Sequence, residues 1–597
     1  MRSGISRLSP SAPSAPCARS SLTCAGPTIH SSQTLSAFFS PTGSTAAFSL
    51  LSPAHCFADD DDAPTPPARS NQLCRRDAPD PHASSPGCAA VRHRAAASMS
   101  ARLLVGLRRR ALPSGGLHAR AHLRRSSRAG LRRVERQPTV AVSTAAQSPP
   151  VDEAKLLLQI KRAWGDPPVL AAWSATASAM GSHCRWPHVR CNSAGSVSKL
   201  DLANSNITGP MPDAVGGLSS LARLDVSYNS ITGAFPMVLY RCRSLRYLDL
   251  SYNYIGGELP DDVGHGLGAN LSMLELSFNE FNGTIPVSLS RLRNLRYLGL
   301  VNNRLTGTIP AELGQLTNLR ALWLSDNPFD SGKLPTSFKN LTKLVKLGAE
   351  NCSLVGGFPS YVVKMPELEG LALSSNSLTG RIPTGVWSLR NLQYLALYRN
   401  NLTGTLMVDG FAAMSLTEIL VAENNLTGVI PEVFGRLQNL TILSLRENRL
   451  IGALPPELGK HSLGLSHVDF DGNELTGAIP EGLCAGGQLQ TLFASSNRLN
   501  GSIPVDLITN CATLRILYLD SNQLSGSLPA TISNNLQVLD IESNQFVGRV
   551  PAVALGLVYF FAQNNQFSGE IPASLGYGMP LLKRLNLANN KLSGRIS

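Results

Sequence analysis

With 597 residues, 51 Gly, 39 Pro, 43% apolar and 16% charged residues, the chain is too long for one compact core and too apolar for general disorder. Its net charge of +13 would suit a nucleic-acid partner if it ran along the body, but the first 150 residues hold 19 Arg, no Lys and 7 acidic residues, so the remainder is nearly neutral and nucleic acid is excluded as its partner. No run of 18 apolar residues occurs, the longest candidate being Ala552 to Ala562, and no membrane span is expected.

Residues 1–147 are rich in Ser, Ala, Pro and Arg, lack Trp and Tyr, and show no sustained hydrophobic period. Such a segment cannot bury enough surface to offset its ordering entropy, so a disordered leader is expected. A transit peptide, an arginine-rich binding arm and an extension outside the mature protein are the three readings, of which the last is preferred. Neither Met1 nor Met99 is followed by a secretory signal: the apolar run Leu103 to Leu107 stops at Arg108, Arg109 and Arg110.

The expected cap covers 148–196. Leu156, Leu157, Ile160 and Trp164 recur at helical spacing after Asp152 and Glu153, and Gly165 with Pro167 and Pro168 stops the helix. Cys184 and Cys191 follow, bracketing Trp186.

From 197 to 597 the pattern Leu-x-x-Leu-x-Leu-x-x-Asn-x-Leu-x-Gly-x-Ile-Pro repeats about seventeen times with a mean period of about 24, the last copy incomplete. In the copy around Leu298, Leu298 and Leu300 are expected to point inward from a short strand while Tyr297, Gly299 and Val301 point outward. Asn303 should turn its amide into the stack and satisfy loop N–H and C=O groups, and Pro310 should open the outer segment. At the Asn position of one copy stands Cys352. One coil buries too little to stand alone, so neighbours must share a core.

These repeats, with Leu-Thr-Gly-x-Ile-Pro at Leu305 to Pro310 and Leu378 to Pro383, resemble the plant-type extracellular leucine-rich repeat. The helix and the Cys184, Trp186, Val189, Cys191 cluster resemble the N-terminal cap of plant leucine-rich-repeat receptor kinases and receptor-like proteins, with Pro187 and His188 where the family has a Gly. Within that family the chain looks most similar to the HAESA-like peptide receptors. The resemblance implies an α/β solenoid, a horseshoe or superhelix with a parallel concave β-sheet, convex 3₁₀ or irregular segments and a helical cap. It also implies extracellular, non-catalytic recognition of a peptide or protein ligand in cell-surface signalling, and a co-receptor kinase ectodomain as a further partner. Relatives carry a membrane helix and often a kinase; this chain has no phosphate loop, His-Arg-Asp or Asp-Phe-Gly, and reads as a partial ectodomain. A secreted inhibitor of cell-wall-degrading enzymes and a non-functional receptor fragment are the alternatives.

On the concave face the candidate ligand contacts are Tyr297, Trp323, Lys346, Glu350, Tyr394, Tyr398, Arg399, Arg446, Phe493 and Tyr518: aromatics interleaved with small residues as anchors, charges setting register. The family's paired arginines for a peptide carboxylate have no Arg-x-Arg counterpart on a strand; Arg446 stands alone. Cys184 and Cys191, with six residues between them, suit a disulfide better than a zinc site with His183 and His188. Cys242, Cys352, Cys484 and Cys511 are expected as buried thiols. No metal, cofactor or catalytic constellation is expected. Asn206, Asn270, Asn282, Asn340, Asn351, Asn401, Asn425, Asn439 and Asn500 begin sequons open to glycosylation.

Overall fold

A computed structural model describes residues 152–174, 182–406 and 410–595. The expectations for residues 1–147 lie outside the described residues. Helix α1 (Glu153–Ala163) is capped as its sequence requires: the Asp152 side chain accepts from the Lys155 N–H at 3.1 Å, acid stands in the first turn and Lys161 and Arg162 in the last. Leu157, Ile160 and Trp164 are buried on one face. The Glu153 carboxylate accepts the Val197 N–H at 2.7 Å, fastening α1 to strand β2 (Val197–Asp201). Trp173 stacks on Trp186, ring centres 5.9 Å apart, and its indole N–H donates to the Pro187 carbonyl at 2.9 Å. His188 takes a left-handed φ of 68°, a conformation glycine bears without cost, and its Nδ1 lies 2.8 Å from the Asp201 carbonyl oxygen.

Strand β1 (Val189–Cys191) pairs antiparallel with β2, and from β2 onward each repeat adds one parallel strand, making an 18-stranded sheet among the described residues. The strand leucines, such as Leu298, Leu322, Leu347 and Leu371, sit fully buried in one register. On the far side the Ile-Pro phrase works as expected: Pro310, at φ −65°, leads directly into a 3₁₀ turn at Ala311–Gln315, as Pro286 does into Val287–Arg291. A second row of short parallel strands, in groups of 4 and 11, forms from the Leu-x-Gly segments. That row is an addition to the strand expected from each repeat.

The asparagine ladder holds. Asn303 Nδ2 donates to the carbonyls of Leu276, Leu300 and Val301 at 3.1–3.2 Å, and its Oδ1 accepts from the Phe281 N–H one coil earlier at 3.1 Å. Cys352 keeps the donor half, with Sγ 3.3 Å from the Leu324 carbonyl and 3.2 Å from that of Glu350. It cannot supply the acceptor half, and the Phe329 N–H turns instead to the carbonyl of Asn327 at 2.8 Å.

Beside this ladder runs a column of left-handed residues. In all seventeen copies the residue before the Asn position has positive φ, from Asn204 (50°) to Asn589 (53°). Small polar residues bear that conformation cheaply. Tyr228, Tyr252 and Phe278 do not, and their rings stack face to face at 4.1 Å between neighbours.

Cys184 and Cys191 are disulfide-bonded, Cα atoms 5.4 Å apart, as expected. The expectation of free thiols at Cys484 and Cys511 is corrected: they form a second disulfide, Cα atoms 5.9 Å apart, joining the outer segments of adjacent coils. Cys242 and Cys352 are buried free thiols.

Candidate functional site

Because a strand alternates its side chains, each leucine turned inward leaves two neighbours facing out, and parallel pairing stacks them in columns. Tyr297, Ala321, Lys346, Gly370 and Tyr394 stand in one column, and Gly299, Trp323, Gly348, Ala372 and Ala396 in the next. This face gathers the ten candidate contacts. Tyr297, Lys346, Tyr394, Tyr398, Arg399, Arg446, Phe493 and Tyr518 are half-buried there. Phe493 and Tyr518 stack with centres 5.4 Å apart.

Two of the ten are less accessible than expected. Trp323 is only 4% exposed because its ring lies across Gly348, where a Cβ would come within 2.5 Å of Cε3. Glu350 is 3% exposed. Burial, reinforced by the nearby charge of Asp326, pushes its carboxyl up to about 8. Neither is an exposed anchor or a free surface charge.

Nor do Arg399 and Arg446 stand apart. Arg399 Nε donates to Glu423 Oε2 and Arg446 Nη2 to Glu423 Oε1, each at 2.8 Å. Burial alone would raise the Glu423 carboxyl; hydrogen bonds from both guanidiniums outweigh it and hold the carboxyl below its usual range. A search for Arg-x-Arg misses this pair because its members come from coils two apart. Their shared partner Glu423, from the coil between, was not among the sequence candidates.

Two acidic stretches flank the centre of the face. Asp225, Asp249 and Glu275 stand in register on three adjacent strands. Each carboxylate is received two residues later: Ser227 and Ser251 donate N–H and O–H to the aspartates, Ser277 its N–H to Glu275, and Tyr297 its hydroxyl to Glu275 at 2.6 Å. Burial, with the charges of its neighbours, raises the Asp249 carboxyl, and burial raises that of Glu275. In the second stretch burial raises Asp469, Asp471, Asp520 and Asp540, the last to about 8 with help from the charges of Asp520 and Glu542. The Ser495 N–H donates to Asp471 and the Ser495 hydroxyl to Asp520.

Away from this face, eight of the nine sequon asparagines are exposed and Asn425 is half-buried. The donor atoms of His183, Cys184 and Cys191 lie within 4.8 Å of one another, but the two sulfurs are bonded together and leave no thiolate for a metal.

Comparison with known proteins agrees with this geometry. Residues 151–192 match the leucine rich repeat N-terminal domain, 270–416 the leucine-rich repeat region, and 195–255, 439–461 and 513–534 the leucine rich repeat. The ectodomain of the Arabidopsis receptor kinase HAESA, solved with an N-terminally extended IDA peptide hormone, superposes with TM-score 0.64 and 32% identity over 74% of this chain and 82% of that one. The same receptor with IDA and the co-receptor SERK1 gives 0.61 and 31%, over 74% and 87%. Among curated relatives, MDIS1-interacting receptor like kinase 1 of Arabidopsis thaliana is 44% identical over 71 residues, 12% of this chain and 7% of its own length. Polygalacturonase inhibitor 1 of Oryza sativa subsp. japonica is 35% identical over 81 residues, 13% of this chain and 23% of its own. Those segments span less than a quarter of either relative. With the cap, the repeat register and four fifths of a receptor ectodomain matched together, the chain belongs to the plant leucine-rich-repeat receptor ectodomain family.

Proposed function

We propose that the strand-row face recognises an extended peptide or protein ligand outside the cell, without chemistry, as the sensing part of a plant surface receptor. The observation that carries this reading is the unbroken register of outward side chains from Lys199 to Arg584, in which aromatic and charged residues alternate with gaps at Gly348, Gly370, Ala372 and Ala396. Strands about 4.8 Å apart give a strip of order 80 Å, and a dozen extended residues would cover about eight coils. The solved HAESA complexes supply the analogy: one holds a peptide hormone, another a peptide hormone and a co-receptor, and a co-receptor kinase ectodomain is the expected second partner here.

Selection of a displayed 12-residue peptide library on the full chain tests the reading. Captured peptides should lose at least tenfold in affinity with Tyr394→Ala or Phe493→Ala and nothing with Val287→Ser on the outer turn. Peptides insensitive to both face variants would place recognition elsewhere. The inhibitor match supports one rival, so polygalacturonase belongs in the same assay; saturable capture of that enzyme in place of peptides would favour it.

Surface placement of the sequons supports export. Expressed in plant cells, the chain should shift in mass on endoglycosidase treatment by several glycans, and an unshifted band would count against secretion.

A further inference from the structure

We propose that a cation-lined cavity between the cap and the first coils is a docking site for the acidic segment of a peptide ligand. This rests on the peptide reading above and names the end of the face at which acid-bearing residues sit. The cavity has a volume of about 450 Å³, and its lining includes Trp186 together with Arg185, Arg190, Lys199, Arg223 and Asp201.

The charges there are arranged against stability. Arg190 pairs with Lys199 across β1 and β2, and Lys199 with Arg223 across the next parallel pair, so three cations stand directly opposite one another on adjacent strands. Like charges so placed repel. Only Arg223 is offset, by Asp225 at 3.1 Å and by lying 3.6 Å over the Tyr247 ring. Among the described residues no ion pair engages Arg185, Arg190 or Lys199. A surplus of unpaired cations around one concavity is what an anionic ligand would relieve.

The occupant's chemistry follows from charge complementarity and from continuity with the strand-row face, since Lys199 and Arg223 begin its outward column. Exposed Asp201 sits among the cations and offers an acceptor for N–H donors. A peptide brings carboxylates for the cations and backbone N–H groups for Asp201; a polyuronate would meet Asp201 with hydroxyls instead, and a fully ionised inorganic polyanion brings no donor.

Fluorescein-labelled tetraglutamate, titrated into the full chain at low salt, is the probe. Saturable binding is expected, at least tenfold weaker in the double variant Arg190→Glu, Lys199→Glu and unchanged in the charge-matched control Arg291→Glu, Lys339→Glu on outer turns. Lys199→Gln, mild enough to leave the fold intact, should cost about threefold. Absence of saturable binding, equal loss in the control, or tighter binding of tetragalacturonate than of tetraglutamate would overturn the proposal. Because Tyr394 and Phe493 lie far along the array, tetraglutamate binding must not depend on them; failure of the face variants and failure of the cavity variants are therefore separate results.

Discussion

Asn303→Ala is expected to destabilise the array by about 3 kcal/mol, read as a lowered urea midpoint of the full chain. The substitution removes an acceptor from the buried Phe281 N–H and a donor from three carbonyls. An unpaired buried polar group costs about 1–3 kcal/mol, the N–H most, while carbonyls keep other partners. Coil stability is transmitted through neighbour interfaces, so this loss weakens the coil before Asn303 as well as its own. Cys352→Asn tests the same physics in reverse. Nothing accepts from the Phe329 N–H across the coils at that level, and restoring the amide should raise the midpoint, by about 1 kcal/mol. A neutral result in both variants would mean that the ladder is incidental to stability.

The second large effect is on pH. Glu350 and Asp540 are raised to about 8, and Asp249, Glu275, Asp469, Asp471 and Asp520 are raised as well, in each case first by burial. Unfolded carboxyls titrate near 4. Between about pH 4 and pH 8 the folded chain therefore binds more protons than the unfolded chain, and stability must fall as pH rises through that window. Glu423, held low by its two arginines, loses its contribution only as pH falls below the usual carboxylate range. Burial raises Asp326 and Glu418 too, so His467, lowered by burial, opposes the trend on the acid side as one group against nine. The thermal midpoint should drop by on the order of 5 °C from pH 5 to pH 8, and Asp540→Asn should flatten the slope. A midpoint that rises over that range would contradict the assigned burial of these carboxyls.

The repeat register, the asparagine ladder, the cap helix and the Cys184–Cys191 bridge were all legible in the residues, because each depends on local spacing that survives without knowledge of neighbours. What was not legible depends on stacking. Cys484 and Cys511 stand 27 residues apart, unremarkable in sequence but adjacent once coils stack on the outer side. Glu423 bridges two arginines from the coils on either side, so no local motif contains it. Trp323 points outward by alternation, yet Gly348 on the next strand leaves room for its ring to lie flat. The left-handed column shows only as a leaning toward Asn, Asp and Ser before the ladder residue, and Tyr228, Tyr252 and Phe278 hide even that. The cation row on Arg190, Lys199 and Arg223 needed the antiparallel turn of β1 onto β2, which the repeat pattern does not contain.

Hydrogen exchange read peptide by peptide puts the central claim, that successive coils share one interior, to its most direct test. In Asn303→Ala the amide of Phe281, 22 residues upstream, should lose protection together with the site of substitution, while Leu378, held by Asn400 farther along, keeps its own. Faster exchange confined to residues around 303, with Phe281 as protected as before, would show that the coils do not lean on one another in the way described.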